Sequence, residues 1–503
     1  MTTSQPGPLR SIAIVGGGTA GWMAATYLSR TIGEHVSITL VESNQIGTVG
    51  VGEATIPPIC DFIRLLGVDE DDFIARTHAT FKFGIEFVNW GSIGDRYIHP
   101  FGKHGFDMHG IAFHHYWLRS VRQGNDRPLE DYSLQAKAAR AGKFTRPLDI
   151  PHSPLSQIAY ALHFDARLVA KYLREYSENA GVRRIEGLVE SVHRDGGSGD
   201  IAFIALADGT QVEADFFIDC TGFRSLLLGE TLGTDYEDWS HWLPCNRVVA
   251  VPCEADGPPL PYTRATAHGA GWQWRIALQN RIGNGHVYCS EHMGEDEATA
   301  ILLANLDGEP LADPRPLRFT TGRREVFWSR NCLALGLAAG FMEPLESTSI
   351  HLVQTGLARL MAFLPTRVHD PVRVAEYNRR TAREYAFIRD FLVLHYSATT
   401  RGDTPFWNFC RTRPLPESLA DRLAIWRATG HAVFDPEELF NASNWAAVLT
   451  GQGIEAQQHH PVADLLAPTE LDRRMQTMLR TIDASVDHMP THTDYIAQHC
   501  ARR

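Results

Sequence analysis

Three glycines spaced Gly16-x-Gly18-x-x-Gly21, with an acidic residue, Glu42, about 20 positions further on, are the first group in this chain able to do chemistry. The spacing suits a dinucleotide. Gly16 permits a tight turn, Gly18 lets the backbone approach a pyrophosphate, and Gly21 lets the next helix pack closely on the preceding strand. Thr19 and Ala20 stand at the start of that helix, where free N–H groups and the positive end of the helix dipole meet phosphates. Glu42 is placed to accept hydrogen bonds from a ribose hydroxyl. The motif alone does not separate FAD from NAD, and a tight turn without a ligand would show the same glycines.

The elements that must position this turn are legible around it. Residues 11–15 form a short, mostly apolar run and read as a strand. Residues 22–29, rich in Ala, Met and Leu, read as a helix, and 36–41 as a second strand. A strand–helix–strand unit of this size implies a parallel sheet. Further on, 165–180 reads as a helix, and 201–207 and 211–218 read as two strands flanking Asp208-Gly209, a hairpin turn pair. Several strands are expected over 245–290, around Trp272 and Trp274, and a short buried one at 332–336. From Ser347 the pattern becomes helical, and 370–503 reads as amphipathic helices broken near Pro414, Pro436, Pro461 and Pro468.

Composition narrows the function classes. The chain has 503 residues, 44% of them hydrophobic and 21% charged, with a formal net charge of -12. That is enough for a large core, and the acidic balance argues against a general nucleic-acid binder, whose affinity comes from neutralising phosphates. No stretch approaches the roughly 20 apolar residues that span a bilayer, and the first residues are polar, so a cytoplasmic location is expected. The eight cysteines form no C-x-x-C pair and read as reduced core residues. His114-His115 and His459-His460 have no acidic or cysteine partner at ligand spacing, so no metal site is expected.

Later segments favour FAD. Asp219-Cys220-Thr221-Gly222 and Gly336-Leu337-Ala338-Ala339-Gly340 each place small residues after an apolar strand. They resemble the second and third FAD contacts of the two-dinucleotide-fold flavoproteins. Ala54 and Thr55, after Gly50-Val51-Gly52-Glu53, form another small-residue loop able to touch a cofactor.

Three features together resemble the flavin-dependent halogenases, the family that includes the tryptophan halogenases. They are Gly16 to Gly21 followed by Trp22, the segment Gly271-Trp272-Gln273-Trp274-Arg275-Ile276-Ala277, and Pro344-Leu345-Glu346-Ser347-Thr348. The likeness runs from about residue 10 to residue 365 and less clearly beyond. In the family the Trp-x-Trp-x-Ile segment is followed by proline, where this chain has Ala277, and it lies near the flavin, apart from the substrate. Lys82, in Thr80-Phe81-Lys82-Phe83-Gly84-Ile85 ahead of Asn89-Trp90, matches the family's active-site lysine. Glu346 matches its active-site carboxylate, Pro344 belongs to the cofactor side, and Thr348 and Ser349 fall at the family's halide site, which has glycine where this chain has Ser349. His99-Pro100-Phe101 matches the His-x-Phe segment whose rings sandwich a substrate indole.

The resemblance implies an α/β fold of the FAD-binding two-dinucleotide type, with a β-rich substrate part and a helical C-terminal part. Residues 1–365 would form the halogenase core and 366–503 a mainly helical region packed on it. It implies FAD used as FADH2, O2 and a halide ion, bromide or chloride, as reactants. It further implies a separate NAD(P)H-dependent flavin reductase, a small aromatic substrate and, as in relatives, a possible homodimer. Hypohalous acid made at the flavin would travel to Lys82, which holds it by hydrogen bonding or as a haloamine, while Glu346 polarises the halogen or accepts the ring proton. The tryptophan-specific members clasp the amino-acid part with a tyrosine pair and an acid. No tyrosine occurs here between Tyr396 and Tyr495, so indole or a substituted indole is the expected substrate. A single-component FAD-dependent aromatic monooxygenase would share the nucleotide site, and a non-catalytic flavoprotein would leave Lys82 and Glu346 without a task.

Overall fold

The computed structural model describes residues 8–46, 52–151, 153–364 and 370–500. Gly50 and Val51 of the expected small-residue loop lie outside them, as does the expected boundary at 365/366.

Ser11–Val15 is a strand buried along nearly its whole length, followed by the helix Thr19–Ile32 and the strand Ser37–Glu42. The two strands pair in parallel, Ser11 opposite Ser37 and Val15 opposite Val41. Phe216–Asp219, Cys332–Ala334 and Arg183–Glu186 extend the sheet in parallel, and Trp328–Ser329 adds an antiparallel edge. Gly21 lets helix and sheet close up: a Cβ there would lie 1.8 Å from the Gly16 carbonyl oxygen. Strand ends Val15, Glu42, Asp219 and Ala334 all point the same way, so the loops after them meet at one edge. That edge is where open parallel sheets bind ligands.

A second, seven-stranded sheet holds Gly271–Ala277, with antiparallel neighbours Ile282–Tyr288 and Thr263–His268. Thr263–His268 pairs in parallel with Gly84–Val88, which turns antiparallel onto Arg96–Pro100. A small sheet places Ala161–Asp165 between Gly52–Ala54 and Thr80–Lys82. This sheet matters for function, because it joins a cavity-lining strand to the strand that ends in Lys82.

The segment 211–218 is not one strand. Gln211–Glu213 pairs with Ile201–Leu206 in a separate antiparallel sheet, and Phe216–Asp219 starts afresh in the parallel one. The break is made by Asp215, whose carboxylate accepts N–H bonds from Arg10 at 2.7 Å and Ser11 at 3.1 Å and so pins the chain between the sheets.

The C-terminal part is helical, as its periodicity predicts. Helices Pro371–Ser397, Pro405–Thr412, Glu417–Thr429, Ala442–Gly451, Pro468–His488 and His492–His499 follow one another. Pro405 and Pro468 sit in first turns, where a missing N–H costs nothing. Apolar residues of these helices, such as Phe391, Leu394 and Trp445, belong to the same buried cluster as Ile14 and Phe217 of the parallel sheet. Among the described residues no helix is long and apolar enough to cross a membrane.

Candidate active site

The loops at the carboxyl edge of the parallel sheet enclose a cavity of about 680 Å3, within the roughly 300–1,000 Å3 range of ligand and cofactor clefts. Gly16, Gly18, Thr19, Ala20, Glu42, Ala54, Gly336 and Pro344 all line it, and so do Thr348 and Ser349. Gly21 does not line it; it packs the helix against the turn. Gly16 has φ +115°, and a Cβ there would lie 2.2 Å from the Cys220 carbonyl oxygen. At Gly18 a Cβ would meet nothing within 4 Å, so the backbone there is open to the cavity. This bare backbone beside a helix N-terminus fits a pyrophosphate. The volume of the cleft, about 680 Å3, fits a dinucleotide better than a single phosphate.

Glu42 is held in place. Arg184 donates to one oxygen and Trp22 Nε1 donates to the other at 3.2 Å. Trp22, the residue directly after the glycine turn, thus orients the acid expected to meet a ribose. Glu53 also lines the cavity, and burial pushes its carboxyl up to about 7.

Lys82 and Glu346 lie behind the cavity wall, each with no exposed surface. Lys82 Nζ donates to Ser347 Oγ at 2.8 Å and to the Thr55 carbonyl at 3.0 Å, and sits 5.2 Å from the centre of the Phe101 ring. Burial pulls its pKa down to about 7, against the opposing attraction of Glu346. Lys82 is therefore a buried amine poised near neutrality. Alternation with Phe81 and Phe83 does not leave it on a wet face, because all three side chains are buried.

Glu346 ends a short 3-10 turn, Pro344–Glu346, ahead of the helix Ser349–Ala362. Both its oxygens lie 3.0 Å from His99 Nδ1. His395 Nε2 is 2.7 Å from one of them, close though off the N–H axis. Burial alone would raise its pKa, but His99 and His395 outweigh it and hold the carboxyl at about 2. The His99 tautomer follows from its other nitrogen. Asn444 Oδ1 accepts the Asn441 N–H at 2.9 Å in a capping box, so Asn444 Nδ2 faces His99 Nε2, also at 2.9 Å. Nε2 must then accept, and Nδ1 carries the proton given to Glu346. Tyr97 OH completes the cluster, 3.3 Å from His395 Nδ1.

His395, Asn444 and Tyr97 were not expected from sequence. His395 sits inside a 27-residue helix, and no local pattern distinguishes it. Asn444 shows only as a helix-capping residue, a role it also fills. His99 and Phe101 meet the two expected chemical groups, His99 through its ring nitrogens and Phe101 through its ring face. The ring of His99 also lies among those of Phe391 and Phe440, at 5.6 and 6.2 Å.

Ser347 is shared by the two compartments: it lines the cavity and accepts from Lys82. It has φ +59°, in the left-handed region that serine rarely adopts. Trp274 walls the cavity, and Gly285 opposite leaves room for its ring, since a Cβ there would lie 2.2 Å from it. Trp272, on the same face of the strand, does not line the cavity. The histidine pairs lie elsewhere. His114 Nε2 meets the Gly430 carbonyl at 3.1 Å, and His115 Nδ1 accepts the His460 N–H at 3.2 Å.

The tryptophan halogenase family pattern matches residues 11–468, most of the chain. The chain belongs to the tryptophan halogenase family. This halogenase is 34% identical to the tryptophan 6-halogenase SttH of Streptomyces toxytricini, over 99% of each chain. It is 35% identical to the tryptophan 7-halogenase RebH of Lentzea aerocolonigenes, over 89% of this chain and 90% of that one. Among solved structures it superimposes on Xcc4156, a flavin-dependent halogenase from Xanthomonas campestris, with a TM-score of 0.95 and 48% identity over 99% of both chains. It is also similar to BrvH, a flavin-dependent halogenase from Brevundimonas sp. BAL3, with a TM-score of 0.94 and 45% identity over 97% of this chain and 99% of that one. The expected α/β flavoprotein fold with a helical C-terminal region is that of these enzymes, and the halogenase is itself an enzyme of this class.

Proposed function

We propose that this enzyme halogenates an indole-type aromatic substrate, with FADH2 bound in the glycine-lined cavity and Lys82 and Glu346 completing the reaction behind it. The observation that carries the reading is the position of Ser347, which faces the cavity on one side and holds Lys82 Nζ at 2.8 Å on the other. Gly16, Gly18, Thr19, Ala20 and Glu42 would hold the ADP half, and Ala54, Gly336 and Pro344 the remainder of the cofactor. Bound FADH2, with oxygen, supplies the oxidising equivalent that turns a halide ion into hypohalous acid.

The chain's own residues do the rest. Thr348 makes no side-chain capping bond at the start of helix Ser349–Ala362. The first N–H groups of that helix would hold the halide at the cavity wall. Hypohalous acid is unselective in water, so the buried surroundings of Lys82 must contain it. With its pKa near 7, Lys82 presents both an ammonium to hydrogen-bond the oxidant and an amine to take the halogen. The ring carbon then takes the halogen, the hydroxyl leaves as water with a proton from the Lys82 ammonium, and a positive charge develops on the ring. Glu346, ionised at neutral pH, stabilises that charge and accepts the ring proton. Its low basicity is no obstacle, because a protonated arene is a strong acid. His99 and His395 keep the carboxylate charged and aimed.

Phe101, beside Lys82, offers a face for a flat ring. With no tyrosine between Tyr396 and Tyr495 to clasp an amino-acid part, indole or a substituted indole is favoured over free tryptophan. Reduced flavin would come from a separate NAD(P)H-dependent reductase, and we place the enzyme in the cytoplasm. The test is NADH oxidation and product mass with and without an added reductase, in the presence of indole and bromide. A brominated product that requires the reductase supports the proposal. NADH oxidation without it, with hydroxylated indole, would point to the single-component monooxygenase instead.

A further inference from the structure

The chemistry above leaves unused one buried carboxylate beside the site. Glu343 opens the segment Glu343-Pro344-Leu345-Glu346 and is 1% exposed. Its Oε2 accepts from Trp272 Nε1 at 2.8 Å and from Tyr396 OH at 2.5 Å. Its Oε1 has no protein hydrogen-bond partner among the described residues. Burial pushes its carboxyl up to about 7, against the pull of Tyr396, Trp272 and Arg413. An acid buried with two donors on one oxygen fixes where its backbone can lie.

The two glutamates are held in parallel. Tyr396 binds Glu343, while the residue before it, His395, lies against Glu346. One end of helix Pro371–Ser397 therefore grips both ends of the four-residue segment. From the other side, Trp272 completes the hold on Glu343 and His99 the hold on Glu346. Between and just beyond them, Pro344 and Ser347 face the cofactor cavity. The unfavourable φ of Ser347 needs such bracing, because strained backbone persists only where its surroundings over-determine it.

We propose that Glu343 is a positioning residue. Through Trp272 and Tyr396 it fixes the turn that carries Glu346 and Ser347, and so sets the passage from the cofactor cavity to Lys82. The two tryptophans of Trp272-x-Trp274 then have separate tasks. Trp274 walls the cavity, and Trp272 donates the hydrogen bond that anchors the turn. This inference rests on the halogenation proposed above.

The test uses the whole enzyme with FAD, reductase, NADH, bromide and indole, plus a water-soluble phenol to trap escaping oxidant. Trp272→Phe and Tyr396→Phe each remove one donor and keep an aromatic ring. Each should lower kcat by roughly three- to thirtyfold, leave KM within about threefold, and raise the ratio of brominated phenol to brominated indole. Glu343→Gln keeps a carbonyl acceptor for both donors and, unlike the two donor deletions, should keep kcat within about threefold of the unaltered enzyme. Melting temperature and the bound-flavin spectrum establish folding, and if Trp272→Phe does not fold, Tyr396→Phe and Glu343→Gln decide. Folded Trp272→Phe or Tyr396→Phe with unchanged kcat and trapping ratio, or with a change in KM alone, would overturn the inference, and so would a folded Glu343→Gln that loses kcat by about tenfold or more. An unaltered enzyme that brominates nothing would instead overturn the function on which it rests.

Discussion

At the glycine turn the chain makes room by leaving side chains out, whereas around Lys82 it fills space with them. The cofactor cavity is shaped by bare backbone at Gly16 and Gly18 and by strand ends converging from one sheet. Lys82 and Glu346 are instead enclosed by His99, Phe101, His395 and Asn444, drawn from distant parts of the chain. The first arrangement suits a large ligand held through backbone groups. The second perturbs two ionisable groups in the same direction for different reasons. Burial takes Lys82 down to about 7, and imidazoles overcome burial to take Glu346 down to about 2. On the proposed function, binding and chemistry would thus fall to two regions with different physics, joined at Ser347.

Substitutions that separate the compartments sharpen this contrast. The largest effect after loss of the lysine itself is expected at Glu346. Glu346→Gln keeps the shape and removes the charge, and kcat for halogenation should fall about a hundredfold. Flavin affinity, read by fluorescence quenching, should stay within about twofold, because the carboxylate does not line the cavity. A matching loss of flavin binding would show that the compartments are not independent.

Next comes a pair of glycines. Gly16→Ala puts a Cβ 2.2 Å from a backbone oxygen at φ +115°, so it should lower the melting temperature and the yield of folded protein. Gly18→Ala puts a Cβ where no protein atom lies within 4 Å, so the apoprotein should melt normally while its FAD dissociation constant rises roughly tenfold. Equal melting losses in both variants would contradict the view that Gly18 serves the ligand alone.

A smaller effect concerns pH. Lys82 titrates at about 7 when folded and at its ordinary 10.5 when unfolded. Between those values the unfolded chain binds the extra proton, so the stability of the enzyme rises with pH across that window. Lys82→Met abolishes this contribution. The melting temperature of the variant relative to the unaltered enzyme should therefore be highest below pH 7 and decline toward pH 10. A difference independent of pH would mean that Lys82 is not held in a dry site.

The smallest effect lies at a histidine pair that belongs to neither compartment. Burial holds His114 down to about 4 and His115 down to about 3, below their ordinary 6.5. Their contribution is complete above pH 6.5 and is lost as the pH falls toward those values, because the unfolded chain takes up protons first. Replacing both with Gln should flatten the loss of melting temperature between pH 6.5 and pH 5 without altering kcat at pH 7.

The same contrast explains what could be read from sequence. The glycine turn and Glu42 were legible because strand, turn and helix are contiguous and the spacing has a physical cause. Lys82 and Glu346 were found by resemblance, since neither spacing nor periodicity marks a buried lysine. The surroundings that bury Lys82 and lower its pKa include Thr55, Phe101 and Ser347, brought together only by folding. Asn444 reads as a helix cap, and nothing in its neighbourhood announces His99. The reading of 211–218 as one strand failed because Asp215 bonds to Arg10 and Ser11, a contact about two hundred residues away in sequence. The helical character of 370–503 was legible, but not that one of those helices supplies His395.

The most direct test of the central claim follows oxidant and product together. The unaltered enzyme and Lys82→Met would each be supplied with reduced flavin, oxygen, bromide, indole and the phenol trap, and both brominated products quantified by mass spectrometry. If Lys82 receives hypohalous acid from the cavity, the variant should lose brominated indole by about a thousandfold and still brominate the trap, because oxidant is made but no longer delivered. Brominated indole at the unaltered level in Lys82→Met would contradict the account.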